Sequence, residues 1–159
     1  MPGAGKSTIG KFLANDLGFD FMDLDELIVQ ASHLSPNDYL EKYGENKLLD
    51  LEEKITLGLN LRKIVFSPGG SIVYRNKAMN KLKKETVIVY IKVPKEKLKT
   101  RIKNMNTRAI IGLKEYGFDK LFDLRSPLYE KSADITLEIT DEPEKATEEK
   151  LLKVLQNRF

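Results

Sequence analysis

The first eight residues of the chain combine glycines, a lysine and two hydroxyl residues at a spacing that suits phosphate binding. They match the back half of the phosphate-binding loop pattern, a glycine and four intervening residues before Gly-Lys-Ser/Thr. The matching residues are Gly3, Gly5, Lys6, Ser7 and Thr8. In such a loop, backbone N–H groups and the lysine bind phosphate oxygens, and the hydroxyl binds magnesium. We expect residues 3–8, Ala4 included, to bind a nucleoside triphosphate; a chance match in a glycine turn is the alternative.

Two aspartates follow at the end of a predicted strand. In the segment FDFMDLDE, every second residue from Phe19 lies on one side of the strand, and this side changes from aromatic to acidic. Asp23 and Asp25 therefore share one side of the strand end. At the carboxyl end of a parallel strand both side chains would face a ligand crevice. One carboxylate would assist magnesium, and the other would accept a proton from a substrate hydroxyl. A helix cap is the alternative for Asp25.

A glycine pair and a late arginine are further candidates for a substrate site. Gly69 and Gly70 follow the apolar segment KIVFS, where they allow close approach of a small ligand or simply form a strand-to-helix turn. Arg125 lies on the apolar face of a helix predicted from Phe118, so it needs an anionic ligand or an internal carboxylate.

Two more arginines flank a polar segment with glycines at 112 and 117. Arg101 and Arg108 would reach ATP phosphates if residues 104–117 close over the nucleotide as a lid.

The elements that must position these residues alternate along the chain. Periodicity predicts helices over 6–17, 25–31 and 46–60, helices beginning near 35, 94 and 118, and a C-terminal helix. Short apolar runs predict strands over 19–25, 63–67, 86–93 and 134–140. This order predicts a single α/β domain over 1–159, a three-layer, doubly wound parallel sheet with ligands at the carboxyl ends of its strands.

Composition excludes several classes of protein. The 27 basic and 24 acidic residues leave a net charge of +3 without a basic arm or stripe, so a nucleic-acid partner is not expected. No apolar run approaches the roughly 20 residues of a membrane span. The sequence has no cysteine, and its N-terminus lacks the pattern of a signal peptide. We expect a cytoplasmic monomer that acts on a small molecule.

The motifs GAGKST, DLD, SPGGS, NTRA and LRSPLY together resemble the shikimate kinase family of P-loop small-molecule kinases, over essentially the whole chain. The resemblance implies transfer of the γ-phosphate of ATP to a hydroxyl of shikimate, giving shikimate 3-phosphate, in aromatic amino acid biosynthesis. A kinase for another small acceptor and a non-catalytic nucleotide-binding module are the alternatives.

The resemblance also implies roles for individual residues. Ser7 and Asp23 would bind Mg²⁺, Arg101 and Arg108 would contact ATP, and Lys6 and Asp25 would be catalytic. The acceptor would be held by Asp25, Gly69, Gly70 and Arg125.

The sequence departs from the family pattern at three places. The first strand and first loop glycine of the pattern are not in the sequence, so we expect translation to begin several codons upstream of Met1. Ser71 replaces the third glycine of a triple-glycine turn. The family's GExxFRxxE segment reads GENKLLDLE, which puts Leu49 where the family has an arginine for the substrate carboxylate. Leu49 either packs in the core or lines the cleft and favours a different acceptor.

Overall fold

The fold consists of short parallel strands separated by helices. The structure is a computed structural model that describes residues 1–102, 108–139 and 144–156. Its elements are α1 (Lys6–Leu17), β1 (Asp20–Asp23), α2 (Leu24–Ser32), α3 (Pro36–Tyr43), α4 (Glu45–Gly58), β2 (Ile64–Ser67), a 3₁₀ helix (Gly70–Tyr74), α5 (Asn76–Glu85), β3 (Val89–Lys92), α6 (Lys95–Arg101), α7 (Leu113–Ser132), β4 (Ile135–Glu138) and α8 (Glu144–Gln156).

The helix ends follow local sequence signals. Helix α1 spans the predicted residues and stops at Gly18, whose φ of 62° is left-handed. Helix α3 begins after Ser35, which accepts a hydrogen bond from the Asp38 backbone N–H, with Pro36 in the first turn. Helix α7 contains a kink at Gly117, where φ is 70° and ψ is 167°, so its regular part begins at the predicted Phe118.

The strands pair in parallel, which confirms the α/β class. Strand β1 pairs with β2, with Phe21 opposite Val65, and β3 pairs with β4, with Ile91 opposite Leu137. Within the described residues these are two separate two-stranded sheets. A cavity of about 610 Å³ lies between β2 and β3 and is lined by apolar side chains of α1, α5 and α8. This cavity divides what was expected to be one continuous sheet.

Helices cover both faces of the strands, as a three-layer arrangement requires. Val65 of β2 packs against the cluster that contains Ile9 of α1 and Leu151 of α8. The next residue, Phe66, packs against the cluster that contains Met79 and Leu82 of α5. Successive side chains of a strand point to opposite faces, so β2 is buried between two layers of helix.

Two local predictions are wrong in detail. Strand β1 ends at Asp23 and α2 begins at Leu24, so Asp25 lies in the first turn of a helix and not on the strand. In α4 the fully buried line is Leu48, Glu52 and Thr56, which are spaced four residues apart. The apolar periodicity that predicted this helix rests on Leu48, Leu51, Ile55 and Leu59, of which Leu51 and Ile55 are only partly buried.

Among the described residues, no helix combines the length and the apolar character that crossing a bilayer requires.

Candidate active site

The N-terminal loop has the backbone geometry of a phosphate-binding loop. Gly3 and Gly5 have φ values of 74° and 88°, which residues with a side chain rarely adopt. Gly5 is the N-cap of α1 and provides no side-chain hydrogen bond to the first turn. The first backbone N–H groups of the helix therefore remain available to a ligand, at the positive end of the helix dipole.

One cavity of about 650 Å³ brings together nearly all of the predicted site residues. Those that line it are Gly3, Gly5, Lys6, Ser7, Thr8, Asp23, Asp25, Gly69, Gly70, Arg101, Arg108 and Arg125. Ala4 is the exception, because its side chain is only 2% exposed and belongs to the core. Segments that are far apart in sequence thus line one continuous cavity.

The loop hydroxyl and the first aspartate are in direct contact. Ser7 Oγ donates a hydrogen bond to Asp23 Oδ2 at 2.6 Å. Asp23 Oδ1 accepts a hydrogen bond from the Asp25 backbone N–H at 3.0 Å, so Asp23 caps α2. The residue that caps the helix is therefore Asp23 and not Asp25, and the Asp25 side chain is left to face the cavity.

Lys6 and Asp25 each shift the pKa of the other. Burial lowers the pKa of the Lys6 ammonium, with Arg108 and Arg125 lowering it further and Asp25 and Asp23 opposing the shift. Partial loss of water in the cleft raises the pKa of the Asp25 carboxyl, and so does Asp23, whereas Lys6 and Arg108 lower it. Lys6 Nζ also donates to the Met1 carbonyl oxygen at 3.3 Å. Such opposed shifts are typical of catalytic sites.

Arg125 is a buried cation that lines the cavity. Its side chain is 1% exposed; Nη2 donates to the Ile111 carbonyl oxygen at 2.8 Å and Nε donates to the Tyr74 hydroxyl at 3.2 Å. No carboxylate of the described residues lies within ion-pair distance of it. The alternative of an internal ion pair is therefore not observed among the described residues, and the guanidinium borders the cavity without a carboxylate partner there.

Close neighbours, and not the backbone conformation of the turn, require the glycine pair. A Cβ at Gly69 would lie 2.9 Å from Glu52 Oε1, and one at Gly70 would lie 2.9 Å from the Tyr129 hydroxyl. That hydroxyl donates to the Gly70 carbonyl oxygen at 2.8 Å. Burial raises the pKa of Tyr129 to about 12, so it remains a donor at neutral pH. The pair both opens the 3₁₀ helix and lines the cavity.

The predicted lid is described only in part. Arg101, the last residue of α6, and Arg108 both line the cavity with exposed side chains. Residues 104–107 lie outside the described residues. Residues 113–117 form the start of α7 before its kink.

Glu52 and Ser71 also line the cavity, and of the two only Ser71 was singled out from the sequence, as a departure from the family's glycine turn. They are 5% and 4% exposed, and Ser71 Oγ donates to Glu52 Oε2 at 2.6 Å. Burial raises the pKa of Glu52, the hydrogen bond from Ser71 lowers it, and Asp25 raises it. The signal for Glu52 was its position four residues after Leu48, which places a carboxylate on the buried line of α4.

Leu49 lies outside the cavity lining. It packs against the apolar cluster of Leu24, Ile28, Leu48 and Ile111. The core alternative for Leu49 is therefore the observed one, and no side chain at this position supplies a cation to the site.

A family comparison agrees with this geometry. The shikimate kinase family model matches residues 2–156. The chain belongs to the shikimate kinase family. A shikimate kinase of Thermodesulfovibrio yellowstonii is 33% identical over 154 residues, covering 95% of this chain and 88% of that protein. Shikimate kinase 1 of Yersinia pestis is 31% identical over 159 residues, covering 98% of this chain and 92% of that protein.

Solved structures of shikimate kinases share the fold. The enzyme from Acinetobacter baumannii in complex with shikimate superimposes with a TM-score of 0.88 at 28% identity, covering 98% of this chain and 89% of that one. Membership of the shikimate kinase family makes this chain an ATP-dependent phosphotransferase that acts on a hydroxyl group.

Proposed function

We propose that this chain transfers the γ-phosphate of ATP to a hydroxyl of a small polar carboxylic acid, with shikimate as the first candidate acceptor. The observation that carries the proposal is the single cavity, in which the phosphate-binding loop, Asp25 and the buried Arg125 face one another. This arrangement supports a nucleotide site, a group that acts on the acceptor hydroxyl and a buried cation for an anionic group of the acceptor.

The nucleotide end consists of the loop and two arginines. We assign the phosphates of ATP to the backbone of Gly3, Ala4 and Gly5 and to the side chains of Lys6 and Thr8. Arg101 and Arg108 would bind them from the other side of the cavity. These groups supply fixed positive charge where the transferred phosphoryl group becomes most negative, which is the main contribution of a protein to phosphoryl transfer.

Ser7 and Asp23 fit a magnesium ion that is shared with phosphates. Both offer oxygen ligands, the kind that Mg²⁺ prefers, and both line the cavity. Within the described residues no group of three or more acidic, histidine or cysteine side chains forms a complete metal site. A partial ligand set of this kind suits Mg²⁺, which commonly binds one or two protein ligands and substrate phosphates. When bound, the ion neutralises charge on the phosphates.

Asp25 is assigned to the acceptor hydroxyl. It lines the same cavity as the loop and Arg125, and burial raises its pKa above that of an ordinary aspartate. A carboxylate there would orient the hydroxyl and accept its proton as phosphate is transferred. Arg125, with the backbone of Gly69 and Gly70, would hold the acceptor's carboxylate.

Family membership supports a role in aromatic amino acid biosynthesis, and we propose the cytoplasm as its location.

The test is incubation of the purified chain with ATP, Mg²⁺ and a panel of hydroxylated carboxylic acids that includes shikimate. We expect ADP and one phosphorylated product to form in equal amounts. Binding of ATP with no transfer to any acceptor would instead show a nucleotide-binding module.

A further inference from the structure

Tyr74 is a partly exposed aromatic residue that contacts the buried cation of the site. It is 39% exposed and is the last residue of the 3₁₀ helix that begins at Gly70. The Tyr74 hydroxyl accepts a hydrogen bond from Arg125 Nε at 3.2 Å, and Arg125 Cζ lies 5.2 Å from the centroid of the Tyr74 ring. Tyr74 is not one of the residues that line the cavity. It therefore contacts the guanidinium without forming part of the cavity wall.

Two neutral oxygen atoms of the protein hold the Arg125 guanidinium. Nη2 donates to the Ile111 carbonyl oxygen at 2.8 Å, and Nε donates to the Tyr74 hydroxyl. Among the described residues no carboxylate forms an ion pair with Arg125. A neutral acceptor orients an N–H group without adding negative charge beside it. The two contacts thus fix the guanidinium and leave its positive charge uncompensated.

The third nitrogen of the guanidinium, Nη1, is directed at the cavity. A Cβ at Gly70, which lines the cavity, would lie 3.4 Å from Nη1. The Tyr129 hydroxyl, which donates to the Gly70 carbonyl oxygen, is a further neighbour of the guanidinium. A planar guanidinium that is held at Nη2 alone can turn about that hydrogen bond, whereas a second contact at Nε fixes its plane. The direction of Nη1 therefore depends on the Tyr74 hydroxyl as well as on the Ile111 carbonyl.

We infer that Tyr74 is a positioning residue, which holds the Arg125 guanidinium so that Nη1 donates to the carboxylate of the acceptor. This inference rests on the proposed function, because it requires that Arg125 binds that carboxylate. Tyr74 itself does not contact the acceptor and acts only through Arg125. The carboxylate does not react, so its contacts are the same before and during phosphate transfer. Loss of the Tyr74 hydroxyl should therefore raise the KM for the acceptor and leave kcat unchanged.

The experiment compares Tyr74→Phe with Tyr43→Phe. Tyr43, the last residue of α3, is 47% exposed and lies outside the cavity lining, so each variant loses one hydroxyl from a partly exposed ring. Calorimetry measures the binding of shikimate and of its carboxamide, which has nearly the same shape and no charge. General loosening of the site would weaken both ligands together and leave the ratio of their affinities unchanged.

The affinity ratio is expected to change in one variant only. A charge-assisted hydrogen bond is worth about 10- to 100-fold in affinity, so shikimate should bind the unmodified chain and Tyr43→Phe at least about tenfold more tightly than the carboxamide. In Tyr74→Phe this ratio should fall below about threefold, because Nη1 no longer has a fixed direction. The kcat and the KM for ATP should stay within about twofold of the unmodified chain.

A second readout does not depend on the acceptor. In the free protein the Arg125 Nε–H is buried and hydrogen-bonded, so its exchange with solvent, followed by NMR, requires local opening. Exchange should be at least about threefold faster in Tyr74→Phe than in Tyr43→Phe. Equal exchange rates in the two variants, or equal affinity ratios, would overturn the positioning role of Tyr74.

Failure of the proposed function is seen in a different measurement, as the absence of phosphorylated product from the unmodified chain with the acceptor panel. If product forms but the unmodified chain binds shikimate no more tightly than the carboxamide, the inference alone is overturned, because Arg125 then does not bind the carboxylate.

Discussion

At the residue scale, the two side chains that we propose to be catalytic carry opposite charges. Lys6 and Asp25 line the same cavity, and each shifts the pKa of the other toward its charged form. Burial opposes both ionised forms, so the pair is retained at a cost to stability. Such a cost is expected where side chains are selected for a reaction and not for packing.

Lys6→Ala is expected to lower kcat by about 100-fold or more, because the variant lacks the positive charge that Lys6 would place beside the transferred phosphate. Lys11→Ala is the matched control, since Lys11 lies in the same helix with an exposed side chain over the Phe21 ring. Steady-state kinetics and thermal unfolding measure both variants. Lys6→Ala activity within tenfold of the unmodified chain would contradict the loop assignment.

Asp25→Asn is expected to lower kcat by at least about 100-fold and to leave the KM for ATP within about threefold. Its control is Glu26→Gln, the adjacent exposed carboxylate in the same turn of α2. Equal losses in kcat and ATP affinity would indicate a structural role for Asp25.

The raised pKa of Asp25 also predicts pH effects with a definite sign. The base must be ionised, so kcat should fall as pH decreases through a midpoint above the ordinary aspartate range. A carboxyl whose pKa is raised by folding contributes stability below its unfolded pKa and loses that contribution as pH rises through the folded pKa. At pH 7, Asp25→Asn should therefore have a Tm equal to or above that of the unmodified chain. A lower Tm would contradict the assigned environment.

At the scale of elements, the site depends on how closely α1 approaches β1. Gly10 lies on the buried side of α1, and a Cβ there would be 2.7 Å from Cε2 of Phe21 in β1. This contact fixes the distance between the helix that begins at the phosphate-binding loop and the strand that ends at Asp23. The Ser7 to Asp23 hydrogen bond spans the same two elements.

Gly10→Ala is expected to lower the free energy of unfolding by about 1–3 kcal/mol, because the ring of Phe21 must move. For a chain of this size each kcal/mol corresponds to about 2–4 °C in Tm. Gly58→Ala, in the last turn of α4, is the control, since a Cβ there meets nothing within 4 Å. That variant should be as stable as the unmodified chain or more stable. Equal Tm values for both variants would show that α1 can move away without cost.

At the scale of the whole molecule, an apolar cavity separates β2 from β3 and so divides the two sheets. Within the described residues each of these strands is paired on one side only, and apolar side chains from three helices surround the space between them. An open strand edge beside an apolar cavity is a site where a further strand can bind.

Fusing a five-residue Val/Ile segment ahead of Met1 is expected to raise Tm and ATP affinity together. Such a segment can bridge the two sheets and support the loop that follows it. A Gly/Ser segment of the same length is the control, because it offers backbone but no apolar side chains. Equal Tm values for the two fusions, measured by calorimetry with and without ATP, would show that the cavity does not accept a strand.

The sequence by itself determined the features that depend on neighbours along the chain. Helix α1 and its stop at Gly18, the Ser35 and Pro36 start of α3 and the short apolar strands all follow from local periodicity and turn chemistry. The phosphate-binding loop is equally local, because its function resides in consecutive backbone groups. Asp23, Gly69 and Gly70 lie on one cavity because they lie at or just after the carboxyl ends of β1 and β2, which pair in parallel.

Only the tertiary structure decided which polar groups meet across that edge. It showed that Asp23 and not Asp25 caps α2, that Arg125 has no carboxylate partner among the described residues, and that Leu49 packs in the core. It also paired Glu52 with Ser71, nineteen residues apart. These outcomes depend on the packing angles of whole helices. A periodic pattern predicts which face of a helix is buried, but it does not predict which residues of other elements contact that face. The sequence therefore indicated the class of reaction, whereas the contacts between groups from different elements could be read only from the fold.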